Sequence, residues 1–255
     1  MLIFKRATPY WTTLSSMLLL WLGVTQPGYW WLWSIVLAIL PIVVIVIMRQ
    51  PHWRYEYVGL TLPMLMLLLG GFTFLLIQEQ WLIQLIVVIV TGTFFFLFQK
   101  NLSVFLFEPA KYIPFSLEHI SIYSTVLASF YVYVSLFIFS ILRLTRLRYI
   151  FIAALVLSAM MIWQTFWIQK IAWQKARWFV LVLSVVLTEV VVALYYWPVS
   201  FFVSGITMTL LMYVLLHLSR HHLTNTLTRQ IVIRYCVTAA VALVLLLVSA
   251  DWYYH

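Results

Sequence analysis

One carboxylate stands inside a long apolar stretch of this sequence. Glu189 lies in the run 181–194, whose other members are Leu, Val, Ser, Thr and Ala. Keeping a carboxylate charged in such surroundings is costly, so the group must be protonated, paired, or beside a water-filled cavity. Two chemistries follow. Glu189 could relay a proton or cation, or anchor a polar substrate group. Alternatively it is a protonated peg that hydrogen-bonds a neighbouring helix through Ser204, Thr207 or Thr209. Arg234 lies about one turn inside the last apolar run, where it can snorkel to headgroups. Glu189 is about 18 Å of helix from its own charged boundary at 1.5 Å per residue, so a direct pair with Arg234 is not expected.

His217, Arg220, His221 and His222 form the second constellation. Residues four apart share a helix face, so His217 and His221 have the spacing of metal ligands. The chain holds six histidines but a single cluster, whereas di-iron membrane enzymes need several such boxes. The competing reading is a helix end where the imidazoles and Arg220 satisfy the last carbonyls and meet lipid phosphates. Haem would need facing axial ligands, and His119 and His217 both fall at a membrane boundary. A retinal Schiff base needs a lysine inside a span, and no apolar run holds one. Phosphate-loop, H-E-x-x-H and G-x-S-x-G patterns are lacking, as is an aspartate cluster for magnesium. No catalytic residue, metal or cofactor is therefore assigned, and the balance leans away from an enzyme.

These residues must be positioned by elements built almost wholly of apolar side chains. Charged residues are 8% of the 255 positions, against about 25% in a soluble domain. Hydrophobic residues make up 65%, so no water-soluble surface can be assembled. Nine apolar segments can be marked at about 8–24, 29–48, 57–77, 81–98, 119–142, 149–168, 178–196, 199–218 and 231–250. Each approaches the roughly 20 residues a spanning helix requires. The runs are continuous rather than alternating, which selects helices over a barrel. The expected fold is all-α: a polytopic transmembrane bundle of about nine spans, residues 1–255 forming one integral membrane domain. Pro41, Pro63 and the Gly70-Gly71 pair fall within spans, where kinks and close helix contacts are tolerated. In the fifth run Tyr123, Phe130, Tyr131, Tyr133, Phe137 and Phe139 alternate with Ser121, Ser124, Thr125, Ser129 and Ser135. Hydroxyl-mediated helix packing explains that face more simply than an amphiphile pocket.

A formal charge of +9 is here a matter of topology, because the basic residues sit in the gaps between apolar runs. With the N-terminus in the cytoplasm, Lys5, Arg6, Arg49, Arg54, Lys100, Lys111, Lys170, Lys175, Arg177, Arg220, Arg229 and Arg234 lie inside, twelve of fifteen. Arg143, Arg146 and Arg148 are the exceptions. Nine spans then place residues 251–255 outside. On that side Trp30, Trp31, Trp33, Trp81, Tyr195, Tyr196, Trp197 and Trp252 supply an interfacial belt. Residues 99–118, broken by Pro109 and Pro114, are expected along the cytoplasmic surface or as a re-entrant piece. Lys5 and Arg6 ahead of an apolar run resemble a secretory leader without its cleavage site, so an uncleaved first span is expected. Lone Cys236 cannot form an intramolecular disulfide. Nothing interleaves basic and aromatic residues on a solvated platform, so nucleic acid is not an expected partner.

Thr188, Glu189, Tyr195, Tyr196, Trp197, Pro198, Val199, Ser200, Gly205, Tyr213, Leu218, Ser219 and Arg220 together resemble an uncharacterised family of bacterial multi-span membrane proteins. The resemblance covers the last quarter of the chain and implies no activity. The reading that follows is a cell-membrane subunit or scaffold working with membrane lipids and with partner membrane proteins or further copies of itself. A small-solute or ion carrier with Glu189 in its pathway is the alternative. A lipid-modifying enzyme comes third, since no nucleophile and base pair is visible.

Overall fold

The structure is a computed structural model that describes residues 2–48, 57–142 and 146–250, with side chains from residues 7–48, 59–142 and 146–250. Arg49, Arg54, Arg143 and residues 251–255, all used in the topology argument, lie outside the described residues, as do the side chains of Lys5 and Arg6. Nine α-helices are present among the described residues, one for each apolar segment. They are α1 (Leu2–Thr25), α2 (Trp30–Met48), α3 (Tyr57–Leu75), α4 (Trp81–Phe107), α5 (Ser116–Ile141), α6 (Leu147–Ile168), α7 (Trp173–Tyr195), α8 (Phe201–Leu223) and α9 (Arg229–Val248). Helices are the only open-ended way to satisfy every backbone group without water. The hydroxyls in these helices also turn inward on the backbone: Thr93 donates to Ile89 O, Ser135 to Tyr131 O, Thr165 to Met161 O and Thr188 to Ser184 O, all at 2.7–2.8 Å.

Seven of these helices are long and apolar enough to cross a membrane: α2 with the 3₁₀ turn Pro27–Tyr29 ahead of it, and α4 to α9. That is two fewer than the nine segments suggested. Thr8, Thr12, Thr13, Ser15, Ser16 and Thr25 dilute α1, and the described apolar part of α3, Gly59–Leu75, is short. The outward faces are apolar as well. On α2 Ile35, Ile39, Ile42, Val43 and Val46 are exposed, and on α7 Trp178, Leu181, Val182, Val185 and Val186. Water would not tolerate such stripes, whereas lipid is the solvent they match. The chain is a multi-pass membrane protein.

It divides into two compact units, Met1–Ala128 and Ser129–His255, with the boundary inside α5. In the first, α1 packs on α2, α2 on α3, α3 on α4 and α4 back on α1, a ring of four helices in chain order. Leu20, Leu37, Leu67, Phe72 and Phe95 fill it. Thr12 Oγ1 lies 2.6 Å from Gln99 Oε1 and bridges α1 to α4.

Residues 99–107, expected on the membrane surface, instead continue α4 to 27 residues. Lys100 and Asn101 interrupt hydropathy but not helix propensity, and the first strong breaker is Pro109. At 1.5 Å per residue α4 is about 40 Å long, more than the roughly 30 Å hydrocarbon layer, so it tilts or runs into the headgroups. Only residues 108–115 connect it to α5. There Lys111 pairs with Glu108 at 2.9 Å. Tyr112 donates to Glu118 Oε2 at 3.0 Å, accepts from the Leu117 N–H at 3.3 Å, and meets Phe105 edge-on at 5.0 Å. Burial, helped by the adjacent Glu118 carboxylate, raises its phenol above the ordinary value.

In the second unit α6 packs along α7, α7 on α8, and α6 also touches α8. Tyr133 of α5 is fully buried, its hydroxyl 2.8 Å from Ser158 Oγ of α6 and 3.8 Å from Met212 Sδ of α8. Gly205 brings α8 close to α5: a Cβ there would stand 3.1 Å from the Val134 backbone. Helix α9 packs on α8 and has no buried residue.

Candidate functional site

Helix α7 buries Ala176, Val180, Leu183, Ser184, Leu187, Val191 and Leu194, the stripe that meets α6 and α8. Glu189 falls two residues from both Leu187 and Val191, about 200° round a helix of 3.6 residues per turn. It is therefore exposed, on the face of Val182, Val185 and Val186. No hydrogen bond or ion pair reaches its carboxylate among the described residues.

Ser204 and Thr207 lie on α8 and are buried. The structure does not join them to Glu189. Thr207 Oγ1 has no hydrogen-bond partner among the described residues, Thr209 donates to Gly205 O at 2.9 Å, and Ser204 lines a cavity of about 330 Å³ with Phe137, Trp197 and Pro198. Among the described residues no hydrogen bond joins Glu189 to Ser204, Thr207 or Thr209, because Glu189 occupies the face of α7 opposite its buried stripe.

The histidine cluster does come to one end of α8, but its members go to separate partners. His217 Nδ1 lies 2.9 Å from Tyr213 O, a contact that requires the proton on Nδ1. Its ring packs at a tilt against Tyr213, 4.2 Å between centroids, and against Tyr235 of α9 at 5.1 Å. His221 Nδ1 is 2.9 Å from Thr226 Oγ1, and His222 meets Phe179 of α7 at 5.6 Å. The Arg220 carbonyl accepts from Thr224 Oγ1 at 2.9 Å. With His221 also 6.2 Å from the Tyr235 ring, two imidazoles and a phenol tie α8 to α9. Among the described residues no three of His, Cys, Asp and Glu converge as metal ligands.

A family model described as "Protein of unknown function (DUF5656)" matches residues 29–249. The chain belongs to that family. The match runs from the turn before α2 to the residue after α9, so it takes in Glu189, Ser204, Thr207 and the whole histidine cluster. The resemblance read from the last quarter alone was too narrow. No curated protein and no solved structure matches.

Two features of this DUF5656 chain escaped the sequence reading. Gln99 in α4 and Gln164 in α6 are fully buried amides, which carry no charge to stand out in an apolar run. The other is an apolar groove of about 770 Å³ between α6 and α7 with Arg177 at one end. No residue pattern marks it, since it depends on how two apolar helices splay.

Proposed function

We propose that this DUF5656 member is a membrane-embedded subunit or scaffold that works through partners docked on the outward face of α7. The observation that carries this reading is Glu189, exposed on an apolar face without a hydrogen-bond partner among the described residues. An acidic side chain costs about 3 kcal/mol at the centre of a span, and Glu189, six residues from the end of α7, bears part of that cost. A polar or cationic group from another membrane helix offsets that cost; the partner is a second membrane protein or a further copy of this chain. Helix α9, with no buried residue, offers a second free face. The proposed orientation has the N-terminus in the cytoplasm and residues 251–255 outside, tested by reporter fusions at both ends. Fusions that report one compartment overturn it.

A carrier has one observation in its favour, the cavity beside Ser204. Glu189 does not line that cavity, so a pathway using it would run along the outer face of α7, and the subunit reading accounts for more.

Purification in mild detergent of wild type, Glu189→Gln and Glu189→Leu tests the proposal. Wild type is recovered as a complex. Glu189→Leu reduces its recovery about threefold to thirtyfold, the range of one interhelical polar contact, while its own melting temperature holds or rises. Glu189→Gln keeps most of the complex if the contact is a hydrogen bond. A monodisperse monomer that retains the cellular function, with both variants unchanged, contradicts the reading.

A further inference from the structure

Helices α6 and α7 run antiparallel, joined by residues 169–172, where Lys170 takes a left-handed φ of 57° to reverse the chain. Their outer sides part into the 770 Å³ groove, floored by Leu155, Val156 and Ala159 of α6 and Leu181 and Val185 of α7. Two small residues make the room: Ala159 on one wall and Ser184 on the other. Ser184 donates back to Leu181 O at 2.9 Å, so its hydroxyl is already satisfied and the floor is dry. Apolar cavities of this kind take apolar ligands rather than water.

The mouth differs in character. Arg177 is exposed between Trp173 and Trp178, both more than half exposed, and its guanidinium lies 5.6 Å from the Trp178 ring centroid. Lys170 and Lys175 share this end, and residues 147–188 contain no Asp or Glu. From Arg177 to Val185 is about 12 Å along the helix, close to the roughly 15 Å depth of one leaflet's hydrocarbon. The site is therefore one leaflet deep, apolar along its length, cationic at the interface, and flanked there by two indoles suited to the headgroup level.

We propose that the α6–α7 groove is a binding site for an anionic phospholipid, its phosphate held by Arg177 and one acyl chain laid along Ala159, Leu181 and Val185. This goes beyond the partner role proposed for Glu189 and does not depend on it; the two surfaces meet at Val185, and Val182, Val186 and Glu189 lie outside the groove. Charge complementarity selects the occupant: a zwitterionic lipid would bring its own cation to a mouth lined by Arg177, where residues 147–188 offer no carboxylate to receive it.

Purified protein equilibrated with equal amounts of dioleoyl phosphatidylglycerol and dioleoyl phosphatidylcholine, then read by native mass spectrometry, tests the site. Wild type retains phosphatidylglycerol preferentially. Arg177→Gln lowers the preference about fivefold, the effect of one basic group on an anionic headgroup, and Arg177→Lys keeps most of it. Ala159→Phe fills the groove and lowers retention of both lipids. Because that variant could disturb packing, wild type is also read by tryptophan quenching with brominated-chain lipids. Brominated phosphatidylglycerol quenches more than its phosphatidylcholine counterpart, and the difference disappears when Trp173 and Trp178 are both Phe. Equal retention of the two lipids means bulk boundary lipid and overturns the proposal. So does an Arg177→Gln protein with unchanged preference. Loss on Arg177→Gln without any quenching difference in wild type leaves surface charge alone, and overturns the groove.

Discussion

At the scale of single residues, Glu189 shows what hydropathy can and cannot locate. Its depth along a span was legible, because a carboxyl among Val and Leu stands out. Its direction was not, because in lipid both faces of α7 are apolar and no polar stripe marks the outside. Packing alone sets the face, through Leu187 and Val191. Gly205 is a converse case: it was seen only as part of a family resemblance, and its close approach to Val134 appears only in the fold. Alanine there must displace backbone and a β-branched side chain, neither of which yields easily. Gly205→Ala is expected to destabilise by about 1–3 kcal/mol, the range for overpacking. A melting temperature in detergent equal to that of wild type would show that α5 and α8 are not held so closely.

At the scale of elements, the nine apolar segments and the nine helices among the described residues coincide, since about twenty apolar residues in lipid leave the backbone no other structure. The ends were less legible. Lys100 closes the fourth apolar run, but helix α4 continues to Phe107 because nothing before Pro109 breaks it. The short connection that follows is fastened by Tyr112, which bonds Glu118 and the Leu117 N–H near the start of α5. Tyr112→Phe should cost about 1 kcal/mol. The sign of the pH dependence follows from the raised phenol: neutral Tyr112 is favoured in the fold. Its contribution is full below the ordinary value of 10.0 and is lost as pH rises through the folded value. Melting curves from pH 8 to 11 should show wild type losing stability above about pH 10 more steeply than Tyr112→Phe. Parallel curves would remove Tyr112 from the account.

At the scale of the whole molecule, hydropathy identifies a multi-pass membrane protein, and the family match extends over α2 to α9. The partner role proposed here rests on the outward face of α7, which hydropathy does not mark because a lipid-facing surface has the same apolar composition. The central claim is that the face of α7 around Glu189 docks a partner. Photo-cross-linking in native membranes tests it most directly, with a photoreactive residue placed in turn at Val182, Val186 and Leu187. The account predicts one discrete protein adduct from exposed Val182 and Val186, its yield falling when Glu189 is Leu, and none from buried Leu187. Only lipid adducts from Val182 and Val186, or a protein adduct indifferent to Glu189→Leu, would contradict it.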